Sequence, residues 1–478
     1  MHFVDAPHQR VLRLLRDEGP VSRAELGDRL ELTRPRLLAE VERLVAAGLI
    51  AEAGMAASRG GRRSTLVELQ PRLRFAAVDL GASSIDIEVT NGRLEPVAAY
   101  QEPADIRTGP RAILHRVNEL LAKARTDGAY ERLDAVGIGV PGPVSFRDGV
   151  PVSPPIMPGW DRYPVRELLA REHGCPAVVD NDVNIMAIGE RHGGVAHSVD
   201  DFLFVKIGTG IGCGIHLAGA VYRGVDGCAG DIGHIQVDAH GPVCSCGNTG
   251  CLEALFSGAA LARDALAAAR SGESPALAER LTTHEKARER ARETAHEGAR
   301  ETTPEKARET ARAGSGNDRA GNDRRISNER GISNERGIGT DRGIGTERGT
   351  SPERGTSNDR GHSTATGPGP WQITARDVAE GAAEGDVVCI RLIRDGGRRV
   401  GGVLATLVSF SNPSMIVIGG GLAQLGHVLL AEIRSVVYRR SLPLATGNLP
   451  VVLSELGPRA GVTGAAVLAS DAAFEQAS

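Results

Sequence analysis

Four side chains in a turn-rich segment, His234, Cys244, Cys246 and Cys251, offer the most specific chemistry in the chain. Three thiolates and one imidazole form the donor set of a closed tetrahedral zinc site, which leaves no position open and is therefore structural. The Cys-x-Cys and Cys-x4-Cys spacings match no generic zinc-finger pattern, and unligated buried cysteines are the other reading. The remaining cysteines, 175, 213, 228 and 389, are scattered as core residues would be. The start, Met1-His2-Phe3-Val4-Asp5, lacks a basic stretch followed by an apolar one. A cytoplasmic location is therefore expected, where grouped cysteines favour a metal over disulfides.

A second group is Asp180-Asn181-Asp182-Val183-Asn184, which follows an apolar run and opens a helical pattern. Amide and carboxylate groups there suit a polyhydroxylated ligand, and Asp182 can act as general base on a hydroxyl. The same residues would also serve simply to cap the helix. Three glycine loops after apolar strands complete the inventory. Asp79-Leu80-Gly81-Ala82-Ser83-Ser84 is a hairpin whose amides and Ser83 hydroxyl can meet phosphate oxygens, with Asp79 holding Mg²⁺ through water. Gly208-Thr209-Gly210-Ile211-Gly212 and Gly419-Gly420-Gly421 repeat the arrangement, though none has Walker spacing.

The elements behind these loops read as alternating strands and helices from residue 71 onward. Phe75 to Val78 is an apolar strand; Ile85, Ile87 and Val89 alternate as the next; Val136 to Val140 ends in a Pro/Gly loop. Before residue 71 the grammar is different. An apolar stripe (Val11, Leu12, Leu14, Leu15) ends at Gly19-Pro20, and Ser22-Arg23-Ala24-Glu25 is a capping box. Thr33 caps a third helix with Pro35 in its first turn and Leu37, Leu38, Val41, Leu44 and Val45 as its inner face. This is a winged helix-turn-helix pattern. Its third helix would place Arg34 and Arg36 in the major groove, and its wing tip would carry Arg59, Arg62 and Arg63 to phosphates or the minor groove. A small helical domain for protein contacts is the plainer alternative, given 13 Arg against 10 acids through Arg74.

Composition bounds the rest. Over 478 residues the chain is 41% hydrophobic and 24% charged with a net charge of −4, which excludes a chain disordered throughout and a globally basic nucleic-acid coat. No apolar run reaches the roughly 18 residues that span a membrane. Between 284 and 360 the text turns repetitive, with 17 Lys/Arg against 15 Asp/Glu and an Arg every six residues from Arg324 to Arg360. That period fits neither an amphipathic helix nor a solenoid, and the segment lacks the apolar surface to offset ordering entropy. A disordered, low-complexity insertion over 284–367 is expected, its early Lys/Ala/Arg/Glu part able to form a transient helix. The expected boundaries are 1–70 for the winged helix-turn-helix, 71–283 and 368–478 for two parts of one α/β domain.

Taken together, these motifs resemble the ROK family (repressors, open reading frames, kinases), in its winged-helix regulator branch. The resemblance rests on Asp79-Leu80-Gly81-Ala82-Ser83, Gly137-Ile138-Gly139-Val140-Pro141-Gly142, Asn181-Asp182, Gly208 to Gly212, Asp231-Ile232-Gly233-His234, Cys244 to Glu253, and Gly419 to Gly421. It implies a two-lobed, actin-like ATPase (ribonuclease H-like) α/β fold with a sugar cleft between the lobes. Asn181, Asp182, Asp231, His234 and Glu253 would bind sugar. Asp79, Gly81, Ser83, Gly208, Thr209, Gly210 and Gly419 to Gly421 would surround phosphate and adenosine. A sugar-responsive repressor acting on a palindromic operator as a homodimer or homotetramer is the leading expectation. A sugar kinase using Mg²⁺ and ATP, with Asp182 as catalytic base, is the alternative. Against both a hexose ligand and efficient phosphoryl transfer stand Ala82-Ser83-Ser84 where family kinases usually carry Gly-Thr-Lys, Asp231 where Glu is usual, and Ile156 where sugar-binding members often carry Asn.

Overall fold

The computed structural model describes residues 6–55, 64–301 and 373–476. The N-terminal segment folds as α1 (Pro7–Glu18), β1 (Val21–Ser22), α2 (Arg23–Leu30), α3 (Arg34–Ala46), β2 (Ile50–Met55) and β3 (Thr65–Leu69), with strand order β1-β3-β2. Ser22 starts α2 as its motif implies, its Oγ accepting the Glu25 amide at 3.2 Å. Thr33 precedes α3, but its side chain makes no capping bond.

The inner face of α3 is narrower than the sequence pattern suggests. Leu37, Val41 and Leu44 are buried, whereas Leu38 and Val45 are 45% and 41% exposed. At 100° per residue the first three share a stripe, while 38 and 45, seven apart, fall on a flank beside Arg34. Arg34 and Arg36 are exposed, with no ion-pair partner among the described residues. Arg59, Arg62 and Arg63 lie outside the described residues.

Two five-stranded sheets of the same design follow. The first, in order β10-β7-β4-β5-β6, joins β4 (Phe75–Leu80), β5 (Ser84–Thr90), β6 (Pro96–Pro103), β7 (Ala135–Val140) and β10 (Ala177–Asn181). Between its strands lie α4 (Pro110–Thr126), the short pair β8 (Val144–Ser145) and β9 (Val150–Pro151), and α5 (Val165–His173). The second sheet, in order β13-β12-β11-β14-β15, joins β11 (Phe202–Ile207), β12 (Ile211–Leu217), β13 (Ala220–Val221), β14 (Met415–Gly419) and β15 (Val451–Leu453). Each is an antiparallel meander extended by two parallel strands. All six residues of β4 and of β7 are buried, as central strands covered on both faces must be.

The helices of the second half are α6 (Asp182–Gly193), α7 (Leu252–Leu255), α8 (Gly258–Ser271), α9 (Pro275–Glu301), α10 (Ala375–Ala383), α11 (Val387–Ser411), α12 (Gly426–Arg440), α13 (Pro443–Thr446) and α14 (Ala460–Glu475). Helices α6 and α14 cross at backbone contact. A methyl on Gly464 would sit 1.7 Å from the Ile185 carbonyl oxygen, and one on Gly189 2.1 Å from that of Ala460. Only glycine fits there, so the two helices pack backbone to backbone. Buried Glu190 of α6 adds to the lock, accepting from Ser454 Oγ at 2.5 Å and from the Leu456 amide at 3.0 Å.

The winged helix shares its core with this body. Val11, Leu12 and Leu15 belong to one apolar cluster with Leu69, Phe75 and Phe474. Beside it Arg16, 6% exposed, donates to Ser470 and Asp471 of α14, both at 2.8 Å. The second sheet takes β11 to β13 from before residue 284 and β14 and β15 from after 367, so the repetitive segment interrupts one domain. Helix α9 runs on to Glu301, through the early Lys/Ala/Arg/Glu stretch that carries few β-branched residues and that the sequence reading leaves able to form a helix. Residues 302–372 lie outside the described residues. Among the described residues no helix is long and apolar enough to cross a membrane.

Candidate functional site

Strand β10 runs directly into α6, and Asn181 makes the join. Its Oδ1 accepts the amides of Val183 and Asn184 at 2.8 and 3.2 Å, while its Nδ2 donates to the Gly142 carbonyl at 2.8 Å. The side chain is therefore spent on capping α6 and on fixing the Pro141-Gly142-Pro143 loop. Asp180 behind it is fully used as well, accepting from Asn184 Nδ2 and from two nitrogens of Arg223, whose guanidinium lies 3.9 Å from the centre of the Phe146 ring. These two residues build the floor, and the first helical residue, Asp182, is the one presented to the cleft.

Asp182 is 5% exposed, with Oδ1 accepting the Val183 amide at 2.9 Å and Oδ2 accepting the Lys206 ammonium. Lys206 is the cleft residue that motif reading passes over. It is the one charged residue in the otherwise apolar Phe202–Ile207 strand, and a buried charge must find a partner. Burial works against its ammonium, but Asp182 and Asp79 outweigh that and hold its pKa above the usual lysine value. Asp79 sits near the end of β4, 7% exposed, and its Oδ1 has no hydrogen-bond partner. Burial raises its pKa to about 7, helped by the charges of Asp182 and Asp86 and opposed by Lys206.

Across the cleft, Glu253 of α7 accepts the Ile211 amide at 3.1 Å through Oε2, which ties the 208–212 loop to α7. The loop approaches so closely that a methyl on Gly210 would lie 2.5 Å from that oxygen. Burial raises the Glu253 pKa, with the Ile211 bond and His234 pulling the other way. Burial also raises Asp231, with His234 opposing.

His234 ends a short 3-10 turn with its two ring nitrogens facing different neighbours. Nδ1 is 3.5 Å from Cys244 Sγ, and Nε2 is 3.9 Å from Asp231 Oδ1 on the cleft side. Cys246 and Cys251 Sγ lie 3.7 Å apart, and all four candidate ligand atoms fall within 4.8 Å of one another. Isolated bridges Gln236–Cys251 and Val243–Thr249 hold the loop. Three thiols and an imidazole converging this closely fit zinc as a donor set.

The cleft thus gathers Asn181, Asp182, Thr209, Gly210, Asp231, His234 and Glu253, predicted from scattered motifs, together with Lys206 and Ala82. The cleft and its open mouth together enclose about 830 Å³ of empty space. The remaining candidates lie beside it. Gly81 and Ser83 form the β4–β5 hairpin, Ser83 being exposed; the Gly421 amide nitrogen would lie 3.7 Å from a methyl on Gly208, so the 208 and 419–421 loops adjoin.

The ROK family model matches residues 75–311 and 355–472, and a winged helix-turn-helix DNA-binding model matches 5–51. The xylose repressor of Caldicellulosiruptor bescii is 24% identical over 95% of this chain and 92% of its own length. A crystal structure of a ROK family transcriptional regulator, described as a homologue of the E. coli MLC protein, superposes with a TM-score of 0.68 at 23% identity, covering 98% of this chain and 96% of that one. The ROK glucokinase of Streptomyces griseus, solved with glucose and AMPPNP, gives 0.57 at 25% identity over 83% of this chain and 99% of its own. The chain belongs to the ROK family and joins its two-lobed domain to an N-terminal winged helix-turn-helix.

Proposed function

We propose that the protein is a sugar-responsive transcriptional repressor in which effector binding between the lobes lowers affinity for operator DNA. The carrying observation is that one closely packed pair of helices, α6 and α14, touches both sites. Helix α6 begins with Asp182 in the cleft, packs on α14 without room for a methyl group, and α14 ends against α1 of the winged helix. At the far end of α6, His192 lies 3.6 Å from Asp17 of α1. A ligand that draws the lobes together at Asp182 therefore moves the seat of α1, and its differential affinity for the two arrangements is the regulatory energy.

Asp182, Asp231, Glu253 and the cleft-side nitrogen of His234 contact sugar hydroxyls in this reading. Asn181 acts from behind by holding α6 and the Gly142 loop. His234, Cys244, Cys246 and Cys251 hold a structural zinc, which fixes the imidazole for that contact. Arg34 and Arg36 meet DNA from α3, and Arg59, Arg62 and Arg63 do so from the wing. A two-fold dimer, or a pair of dimers, reads a palindromic site with half-sites about 10 bp apart or a multiple of that. The xylose repressor relative and the winged helix support this reading, and a cytoplasmic location follows from it.

The kinase alternative keeps two supports, the presence of Asp79, Asp182 and Thr209 together and the similarity to the Streptomyces griseus glucokinase. Thermal-shift screening against a sugar panel, with and without Mg-ATP, separates the two. A sugar that stabilises the protein alone and weakens its binding to operator DNA is the expected result. ADP formation dependent on that sugar would replace the sensor with the kinase. Metal analysis should return one zinc per chain, lost in Cys246→Ser.

A further inference from the structure

Lys206 stands beside carboxylates from two other elements, Asp182 of α6 and Asp79 of β4. It rises from β11 in the second sheet and donates to Asp182 Oδ2 at the start of α6, and its charge also acts on Asp79 at the end of β4. Asp79 itself has no room to turn away. A methyl on Gly461, in the first turn of α14, would lie 1.9 Å from Asp79 Oδ2, and Oδ1 is buried without a partner. A cleft carboxylate, Asp182, with a second, Asp79, buried close by and glycine loops around them is what a divalent ion carrying phosphates would require. Here one of the two negative charges is already met by an ammonium on a covalent stem, with only 18% of the Lys206 side chain exposed.

We propose that Lys206 is a tethered counter-cation that closes the Asp79–Asp182 site to divalent metal and leaves the cleft to uncharged, polyhydroxylated ligands. A metal ion could enter only by breaking the Lys206–Asp182 pair and leaving the ammonium buried beside a dication, an arrangement that repulsion and desolvation both oppose. A neutral sugar needs no such exchange, because its hydroxyls can donate to Asp182 while the ammonium stays in place. The chemistry of the site therefore disagrees with Mg-ATP. The sugar side of this inference rests on the sensor reading above; the exclusion of metal does not.

Mn²⁺ titration followed by electron paramagnetic resonance, on zinc-loaded full-length protein, tests it. Wild type should show no Mn²⁺ site that depends on Asp79. Lys206→Met, which keeps an apolar stem without the charge, should gain one site per chain, at least about tenfold tighter than any binding by wild type. The double variant Lys206→Met/Asp79→Asn should lose it again. Lys206→Gln provides the same comparison if the Met variant fails to retain zinc or its thermal transition. A wild-type Mn²⁺ site removed by Asp79→Asn would overturn the proposal without recourse to any lysine variant. So would folded Met and Gln variants that gain no site. Failure of the sensor reading looks different: wild type would turn over ATP with sugar, whereas a failed counter-cation alone leaves sugar stabilisation without turnover intact.

Discussion

The α6–α14 body meets an ion pair at each end, and the two are built for different work. In the cleft, Lys206 of β11 pairs with Asp182 of α6, and the nearby Asp79 has an oxygen with no partner. At the winged helix, the Arg16 guanidinium donates to Asp17, Ser470 and Asp471 at 2.7–2.8 Å, and Arg13 reinforces Asp471 at 3.0 Å. The first end is sparsely bonded, so a ligand hydroxyl can take up spare acceptors. The second is saturated and sits beside the Phe75–Phe474 edge contact at 6.2 Å. Signalling of this kind needs one end that exchanges partners and one that holds them.

Breaking the holding end should have the largest effect. Arg16→Met leaves Ser470 without its donor and Asp471 with Arg13 alone, at an expected stability cost of about 3 kcal/mol, read from denaturant unfolding. Sugar should still stabilise the variant, but operator affinity should no longer respond to it. Retained coupling in a folded Arg16→Met protein would remove α14 as the route.

The rod between the ends comes next. Gly464→Ala drives a methyl into the Ile185 carbonyl, and the backbones must part. A loss of about 1–3 kcal/mol is expected, with the sugar response weakened more than sugar binding. This crossing also marks where sequence reading stops. The glycine loops, the cysteine segment and Asn181-Asp182 were legible because each chemistry demands particular residue types at particular spacings. Lys206 was not, since its partners come from β4 and α6, 127 and 24 positions earlier in the chain. Nor was the docking of α1 on α14, since Arg16 and Asp471 are 455 residues apart and look like ordinary surface charges in the sequence. The exposed Leu38 and Val45 misled for a related reason: an apolar residue carries no label saying which flank of a helix it occupies.

At the exchanging end, pH offers a subtler probe. Asp79 has a folded pKa of about 7 against 3.8 for the free side chain, because burial, Asp182 and Asp86 outweigh Lys206. A carboxyl raised on folding binds its proton more tightly in the native state. Its contribution is therefore fully present below pH 4 and lost as pH climbs through 7. Asp79→Asn removes that dependence. Measured against wild type by urea unfolding, the variant should gain relative stability between pH 4 and pH 7 and level off above. A constant difference across that window would mean that Asp79 is ionised throughout.

The smallest effect on the fold, and the sharpest contrast with Arg16, should come from Arg34→Ala and Arg36→Ala. These guanidiniums are the same chemical group on the same small domain, yet they stand in solvent with no ion-pair partner among the described residues. Their removal should change stability by less than about 0.5 kcal/mol. If each neutralises a phosphate, the slope of log affinity against log salt should fall by about 0.9 per substitution, with all DNA sequences weakened alike. If one reads a base edge instead, the loss should be about 1–3 kcal/mol at one operator position and small elsewhere. Unchanged DNA binding in both variants would move the recognition surface off α3. An arginine that supports the fold and an arginine that reads DNA would then no longer be distinguished by burial alone.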